Sequence, residues 1–548
     1  MADTNPKTMK VHAAIAAAVK DQGVDTMFGL IGDANLYLAD NFVQEQGGRF
    51  ISAAHEAGAV LMALGYAHVS GKVGVASVTH GPGLTNTVTA LIEGVKSTLP
   101  IVLLSGDTPV ADAHHLQKVD QRAVIASTGA GFEQLRSPQT IAIDVANAFR
   151  RALIESRPIV LNIPVEFQWL DAAFEPVQAR AFEHRGLVPA SDELDNAVGI
   201  IAAARRPLIL AGRGAMDPAS EAAILALARR IEAPVATTLK GSGLFYGDPF
   251  NIGIFGTLST PVAADTIIES DCVIAFGASL NARTTAQGSM LKGKRYIQVN
   301  QERSEVGRLG SPDAGLVGDP GLTADLIRKW LDEAEIEPSG FANDELKEKI
   351  AAYSPDPEVS KERMTGTIDV RRALSGLNEA IPVDRTLVTD AGRFIYEAWA
   401  NFPVRHPRSF VYTLGSGSIG LGMGEAVGAA AAAEGRTTLL VTGDGGFMLG
   451  GLAEFNTAVR HGLDLIVVVC NDASYGAEHI QFRNKALDPA LALFAWPEFA
   501  PLAQALGGEG VTVRSTDDLP AAIDAIRSGV RPLLIDVKLD PDHVPSLR

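Results

Sequence analysis

Short, largely apolar runs recur along this chain, separated by helical patterns, and that alternation constrains what it can fold into. The runs are VGVASV (Val73–Val78), PIVLLSG (Pro100–Gly106), PIVLNIP (Pro158–Pro164), RPLILAG from Arg206, PVATTL (Pro234–Leu239), DCVIAFGA (Asp271–Ala278), RYIQVN (Arg295–Asn300), TTLLV (Thr437–Val441) and Leu465–Val469. A strand apolar on both faces needs cover on both, and helices between strands imply parallel pairing. The expected fold class is therefore α/β, with three doubly wound parallel-sheet domains at residues 1–175, 190–335 and 365–548. Two polar stretches, Phe174 to Ser191 and Glu333 to Glu362, lack periodicity and read as linkers. The alanine run Ala429–Ala433 reads as a tightly packed buried helix.

Charge and cysteine content narrow the function classes. Lys plus Arg number 47 against 64 Asp plus Glu, a net charge of −17 over 548 residues. That balance argues against nucleic acid and anionic membranes, whose footprint is a basic patch. The only cysteines, Cys272 and Cys470, lie in apolar runs, so no disulfide framework is expected. No stretch has the length and apolarity of a membrane span, and no secretory signal is evident. A cytoplasmic enzyme acting on a small molecule is the expectation.

The densest chemistry lies between Gly443 and Gly476. A strand runs into the glycine turn Gly443-Asp444-Gly445-Gly446, and a second buried strand ends on Asn471 and Asp472. Hard oxygen ligands at adjacent strand ends, beside free backbone N–H groups, suit a divalent cation and a diphosphate. Two glycine runs compete as nucleotide loops: GSGSIG (Gly415–Gly420), which fits G-x-G-x-x-G, and the weaker AGRGAMD (Ala211–Asp217). In the first unit, Glu56 opens an Ala/Gly/Leu-rich helical pattern after a short strand. A lone Glu there reads first as a helix-start residue facing the macrodipole. It is followed by a strand and Gly-Pro-Gly turn, VASVTHGPGLTN (Val75–Asn86).

Taken together, HEAGAVLMALGYA, VTHGPGLTN, GSGSIGLGMGEAVGAA and GDGG…CNDASYG occur in an order that resembles the thiamine-diphosphate-dependent enzymes of the acetolactate synthase, pyruvate decarboxylase and benzaldehyde lyase type. The resemblance implies pyrimidine-binding, central and diphosphate-binding domains, and thiamine diphosphate with Mg2+ as cofactors. It assigns Glu56 to the aminopyrimidine N1′, the Gly417 carbonyl to the 4′-amino group, and Ile419 to the wedge that bends the cofactor. Gly392, Ser418, Gly443, Asp444, Gly445, Gly446, Asn471, Tyr475 and Gly476 complete the implied cofactor contacts. Asp444 is the first metal ligand. Spacing places the second at Asn471; strand register, with a one-residue insertion near Gly450-Gly451, places it at Asp472 and is slightly preferred. Ser474 or Ala473 would supply a carbonyl. Gly424 stands where the family usually has proline.

For the substrate, Asp33 resembles an aspartate of the decarboxylases, and His114-His115 their histidine pair, while Leu116-Gln117 looks more like the synthases. His80 replaces a small residue of the common turn. Neutral imidazoles suit acid–base work near pH 7. Glu478, His479, Gln481 and Arg483 read as a substrate-facing lid or a solvated helix face. Ser279 and Asn281 stand where acetolactate synthases carry Arg and Asp for flavin, which makes FAD doubtful. The implied reaction is 2-keto acid decarboxylation, acyloin (acetolactate-type) carboligation, or both; an acyloin lyase is the alternative. The family's divided sites imply a homodimer or homotetramer with active sites at the subunit interface. A nucleotide-dependent dehydrogenase using GSGSIG, or an inactive homologue, are the readings from other classes.

Overall fold

The computed structural model describes residues 7–179, 186–190, 192–354, 364–433 and 435–545. Its described residues form three six-stranded sheets and one two-stranded ribbon. The first sheet has the order Arg49–Ser52, Thr26–Gly29, Gly74–Val78, Ile101–Asp107, Ile159–Pro164, Gly131–Gln134, every pair parallel. The second runs Asn251–Ile254, Val235–Thr237, Pro207–Ala211, Cys272–Phe276, Arg295–Asn300, Ala314–Val317, again parallel. The third runs Phe410–Tyr412, Arg385–Thr389, Thr437–Gly443, Leu465–Asn471, Leu533–Lys538, Glu509–Val513. Strands from all nine apolar runs lie inside these sheets. Every residue of Gly74–Val78, Ile159–Pro164 and Leu465–Asn471 is buried, as two-sided cover requires.

The chain divides into two compact units. One holds the described residues of Met1–Phe182, Glu358–Phe402 and Val411–Arg548, and so contains the first sheet and all of the third but Phe410; the other holds those of Glu183–Pro357 and Pro403–Phe410, with the second. The stretch read as the second linker is not wholly irregular. Helix Asp344–Ala352 lies inside it, started by Asn343, whose side chain accepts the Leu346 N–H. Its low hydrophobic content hid it, since a helix that buries only Leu346 shows little apolar periodicity.

Within the first unit, helix Glu56–Ser70 packs against helix Gly422–Ala432. The preceding His55 is extended, its ring Nδ1 accepts the Ala57 N–H, and the helix stops at Gly71 with φ +72°. Val60, Met62, Ala63 and Leu64 are wholly buried, at about 1.5–3 kcal/mol for each large apolar side chain. The crossing is backbone-close. A Cβ on Gly65 would stand 2.0 Å from the Glu425 carbonyl oxygen, one on Gly428 1.8 Å from that of Met62, and one on Gly424 2.7 Å from the Leu61 Cβ. Gly424 is thus a packing glycine. The end of the alanine run is looser than expected: Ala429 and Ala433 are buried, but Ala430–Ala432 are half-exposed.

Candidate active site

Asp444 follows the last residue of strand Thr437–Gly443, and Asp472 that of strand Leu465–Asn471, two strands in parallel register. Their carboxylates meet at one backbone N–H: Ser474 donates to Asp444 Oδ2 at 3.1 Å and to Asp472 Oδ1 at 3.0 Å. The Ser474 hydroxyl donates to Asp472 Oδ1 at 2.8 Å, and the Trp496 indole N–H to Asp444 Oδ2 at 2.7 Å. Trp496 is held by stacking on Phe494, which meets Tyr475 edge-on. Burial, then the neighbouring Asp472 charge, pushes Asp444 up to about 7. Asp472 is also raised, by burial above all, against the lowering effect of Ser474 and Arg393. Two buried carboxylates that repel one another form a site asking for a cation.

Asn471 points elsewhere. Its amide donates to Asp536 Oδ1 at 2.9 Å and its oxygen accepts the Ala473 N–H at 3.2 Å. Between Asp444 and this strand the chain makes a π-helical turn at Phe447–Gly451, a form that accommodates one extra residue in a helix. The Ala473 carbonyl is already taken by the Phe494 N–H. A cavity of about 70 Å³ opens beside the carboxylates, lined by the Gly443–Gly446 turn, Ile419, Gly392 and Tyr475. A side chain at Gly476 would collide with Asp472 Oδ2, 2.8 Å from its Cβ position, and one at Gly445 with the Tyr475 ring at 2.5 Å.

The run GSGSIG is held by carboxylates. Glu93, wholly buried, accepts from Gly415 N at 2.8 Å, Ser416 N at 2.7 Å and the Ser416 hydroxyl at 2.7 Å. Asp390 accepts from Gly420 N at 3.1 Å and from the Thr442 hydroxyl at 3.1 Å, and burial raises it to about 6. A dinucleotide loop turns such N–H groups to phosphate; here carboxylates of the chain itself occupy them. Gly417, at φ +79°, adopts a left-handed turn with no atom within 4 Å of its Cβ position. The other glycine loop is filled too: Gly212 N donates to the Phe276 carbonyl and Gly214 N to that of Gly277.

Glu56 is 8% exposed and accepts from Asn86 Nδ2 at 3.0 Å. Its Oε1 lies 3.9 Å from the Cβ position of Gly83, against the turn that begins at His80. The helix it opens is fixed by Glu454, whose carboxylate accepts from Ala54 N and His55 N, each at 3.1 Å, and from the Thr457 hydroxyl at 2.7 Å. Nothing local to Glu454, Glu93 or Asp390 marks them in the sequence.

His80 is 4% exposed, its Nδ1 has no hydrogen-bond partner among the described residues, and its ring meets that of His115 edge-on at 5.2 Å. Burial, then the His115 charge, lowers His80, against Asp33 and Asp107. The turn is locked from below: Gly81 N donates to Gln121 Oε1, and Gln121 Nε2 donates to Asn162 Oδ1. Gln117 N donates to His115 Nδ1, which puts the proton of neutral His115 on Nε2. His114 and Asp33 are exposed. Of the four residues read as a lid or a solvated helix face, Glu478, Gln481 and Arg483 are exposed, and only His479 departs from the second reading. They lie on helix Gly476–Asn484, but His479 is 2% exposed with Nε2 2.8 Å from Asp542, and Arg483 holds the same carboxylate.

Family comparison gives three matches in order. Residues 9–124 match the thiamine pyrophosphate enzyme N-terminal TPP binding domain, 194–327 the central domain, and 390–537 the C-terminal TPP binding domain. Among curated proteins, an acetolactate synthase large subunit of Parasynechococcus marenigrum is 28% identical over 97% of this chain and 88% of its own length. A probable 2-ketoarginine decarboxylase of Pseudomonas aeruginosa is 30% identical over 95% of this chain and 92% of its own. A sulfoacetaldehyde acetyltransferase of Alcaligenes xylosoxydans is 28% identical over 91% and 87%. With both TPP-binding domains and the central domain matched, and relatives aligned from end to end, this chain belongs to the thiamine pyrophosphate enzyme family.

Proposed function

We propose that this chain is a Mg2+-dependent 2-keto acid decarboxylase of the family, with acetolactate-type carboligation as the second reading. The observation that carries it is the buried His80, edge-on to His115, where burial disfavours its charged form. A decarboxylase must return a proton to carbon after carbon dioxide leaves and take one from oxygen to release the aldehyde. An imidazole uncharged at pH 7 can take that proton. The 30% identity to a probable 2-ketoarginine decarboxylase supports the same side, and the acetolactate synthase relatives keep the second reading open.

The residues present fit the cofactors. Asp444 and Asp472, buried and mutually repelling, suit Mg2+, and the Ser474 carbonyl would be the backbone ligand, the Ala473 carbonyl already accepting the Phe494 N–H. The Gly443–Gly446 turn lines the cavity beside them and would hold the diphosphate with its backbone N–H groups. Thiamine diphosphate supplies the electron sink for C–C cleavage. Glu56 would bind the aminopyrimidine N1′, with Gly417 and Ile419 receiving the ring. Within one chain Glu56 meets Asn86 and the Gly83 turn, so a second copy is read as completing each site. Leu116, 98% exposed beside His115, and Leu449, 63% exposed against Gly420, are apolar residues for that copy to cover. The second sheet is read as structural rather than flavin-binding: Asn281 donates to Ser279 and accepts from Arg283 N and Thr284 N, closing a local turn.

The test is a panel of 2-keto acids, one carrying a guanidinium group, incubated with the purified chain, Mg2+ and thiamine diphosphate. Carbon dioxide with stoichiometric aldehyde supports decarboxylation. Carbon dioxide with an acyloin or acetohydroxy acid in place of aldehyde moves the assignment to carboligation, and cleavage of an added acyloin alone moves it to a lyase.

A further inference from the structure

Arg393 stands one residue after Gly392, beyond the end of strand Arg385–Thr389, and lines the same cavity as the Gly443–Gly446 turn and Asp472. Its Cδ lies over Gly476, 3.2 Å from where a Cβ would stand there. Two of its nitrogens are spoken for: Nη1 donates to the Pro541 carbonyl at 2.7 Å and Nη2 to the Val544 carbonyl. Its Nε is buried and has no partner among the described residues. A charged donor left unmatched in a buried place is costly, and a guanidinium is best matched by a carboxylate or phosphate oxygen.

The segment that grips Arg393 is itself fastened. Leu539 N donates to the Asn471 carbonyl at 2.8 Å, and Asp540 accepts the Met364 N–H at 2.8 Å. Asp542 receives Arg483 Nε at 3.0 Å and lies 2.8 Å from His479 Nε2. Leu539 and Val544 also line the cavity. Residues 539–544 therefore contribute Leu539 and Val544 to the pocket wall and hold the arginine fork with the Pro541 and Val544 carbonyls.

We propose that Arg393 donates its Nε–H to the cofactor diphosphate, and that residues 539–544 are the clamp that aims it. This rests on the reading of the cavity as the diphosphate site. Arg393 is then a binding residue, and Asp542, which does not line the cavity, is a positioning residue acting through it.

The experiment compares the unaltered chain with Arg393→Gln and Asp542→Asn, measuring affinity and dissociation rate for thiamine diphosphate and for thiamine, both with Mg2+, by tryptophan fluorescence. Arg393→Gln is expected to weaken thiamine diphosphate by about tenfold or more, the loss of one charge-assisted hydrogen bond, and to leave thiamine unchanged. Asp542→Asn keeps the arginine and is expected to speed thiamine diphosphate release by a smaller factor. Equal binding by Arg393→Gln and the unaltered chain overturns the inference, as does equal weakening of both ligands. Should Arg393→Gln not fold, Asp542→Asn decides, and an unchanged release rate overturns it. If the unaltered chain binds no thiamine diphosphate, the reading of the cavity falls, and the inference with it.

Discussion

Gly428→Ala is the sharpest probe of how Glu56 is placed. The added Cβ would stand 1.8 Å from the Met62 carbonyl oxygen and 2.6 Å from its carbon, where real contacts do not fall under 3.0 Å. Relieving the first contact alone needs at least 3.0 − 1.8 = 1.2 Å of movement. The obstacle is backbone, so no rotamer can absorb it, and the two helices must part. Overpacking of this kind costs about 1–3 kcal/mol, and a backbone clash belongs at the upper end. Helix Glu56–Ser70 carries Glu56 on its first turn, so the carboxylate moves with it. A misplacement of about 1 Å at a reacting group costs on the order of 100-fold in rate. The assay is thermal unfolding with turnover at saturating cofactor, beside the control Gly199→Ala. Gly199 lies in helix Asp192–Ala203 with nothing within 4 Å of its Cβ position, so alanine there is expected to be neutral or stabilising by up to about 1 kcal/mol. If Gly428→Ala matches this control in stability and turnover, the helix crossing does not position Glu56.

Asp472→Ala is expected to abolish Mg2+ binding measured by calorimetry, whereas Asn471→Ala keeps it and loses stability by freeing Asp536; the reverse pattern would return the ligand to Asn471. Glu454→Gln replaces the carboxylate that receives Ala54 N and His55 N, and about 2–3 kcal/mol of stability should go with it, read by urea unfolding; a loss under 0.5 kcal/mol, on the order of a neutral surface change, would count against the cap. Burial pushes Asp390 up to about 6 in the folded chain, from its ordinary 3.8, so its protonated form is the one folding favours. Its contribution is therefore best below about pH 4 and is lost as pH rises through about 6, a change of about 3 kcal/mol that Asp390→Asn should flatten in unfolding curves across that range.

How much of this was readable in advance depends on how far apart the interacting residues lie. The strands were legible because a two-sided apolar strand is a local pattern, and Asp444 with the Gly443–Gly446 turn follows one; Glu56 comes after the partly exposed strand Arg49–Ser52 and stands out only beside the other motifs of the resemblance. The side chains that hold them were not. Glu454 reaches across 400 residues to His55's neighbour Ala54, and Glu93 across 322 to Gly415, and a lone buried Glu on a helix carries no mark of its partner. His479 read as surface because its helix is polar around it; only the fold brings Asp542 to it. Gly424 looked like a missing proline, while the close approach of Leu61 supplies its reason. A π-helical turn at Phe447–Gly451 lies where the one-residue insertion is expected near Gly450-Gly451.

The central claim is that Glu56 of one copy and the Asp444–Asp472 pair of another act on one thiamine diphosphate. Subunit mixing tests it most directly. Glu56→Gln and Asp444→Asn should each be inactive on the 2-keto acid that the unaltered chain turns over. Dissociated, mixed in equal amounts and reassociated, they should recover about a quarter of the unaltered activity, since half the pairs are mixed and each mixed pair holds one intact site. No recovery, with mixed pairs demonstrated by mass, would contradict a site shared between two copies.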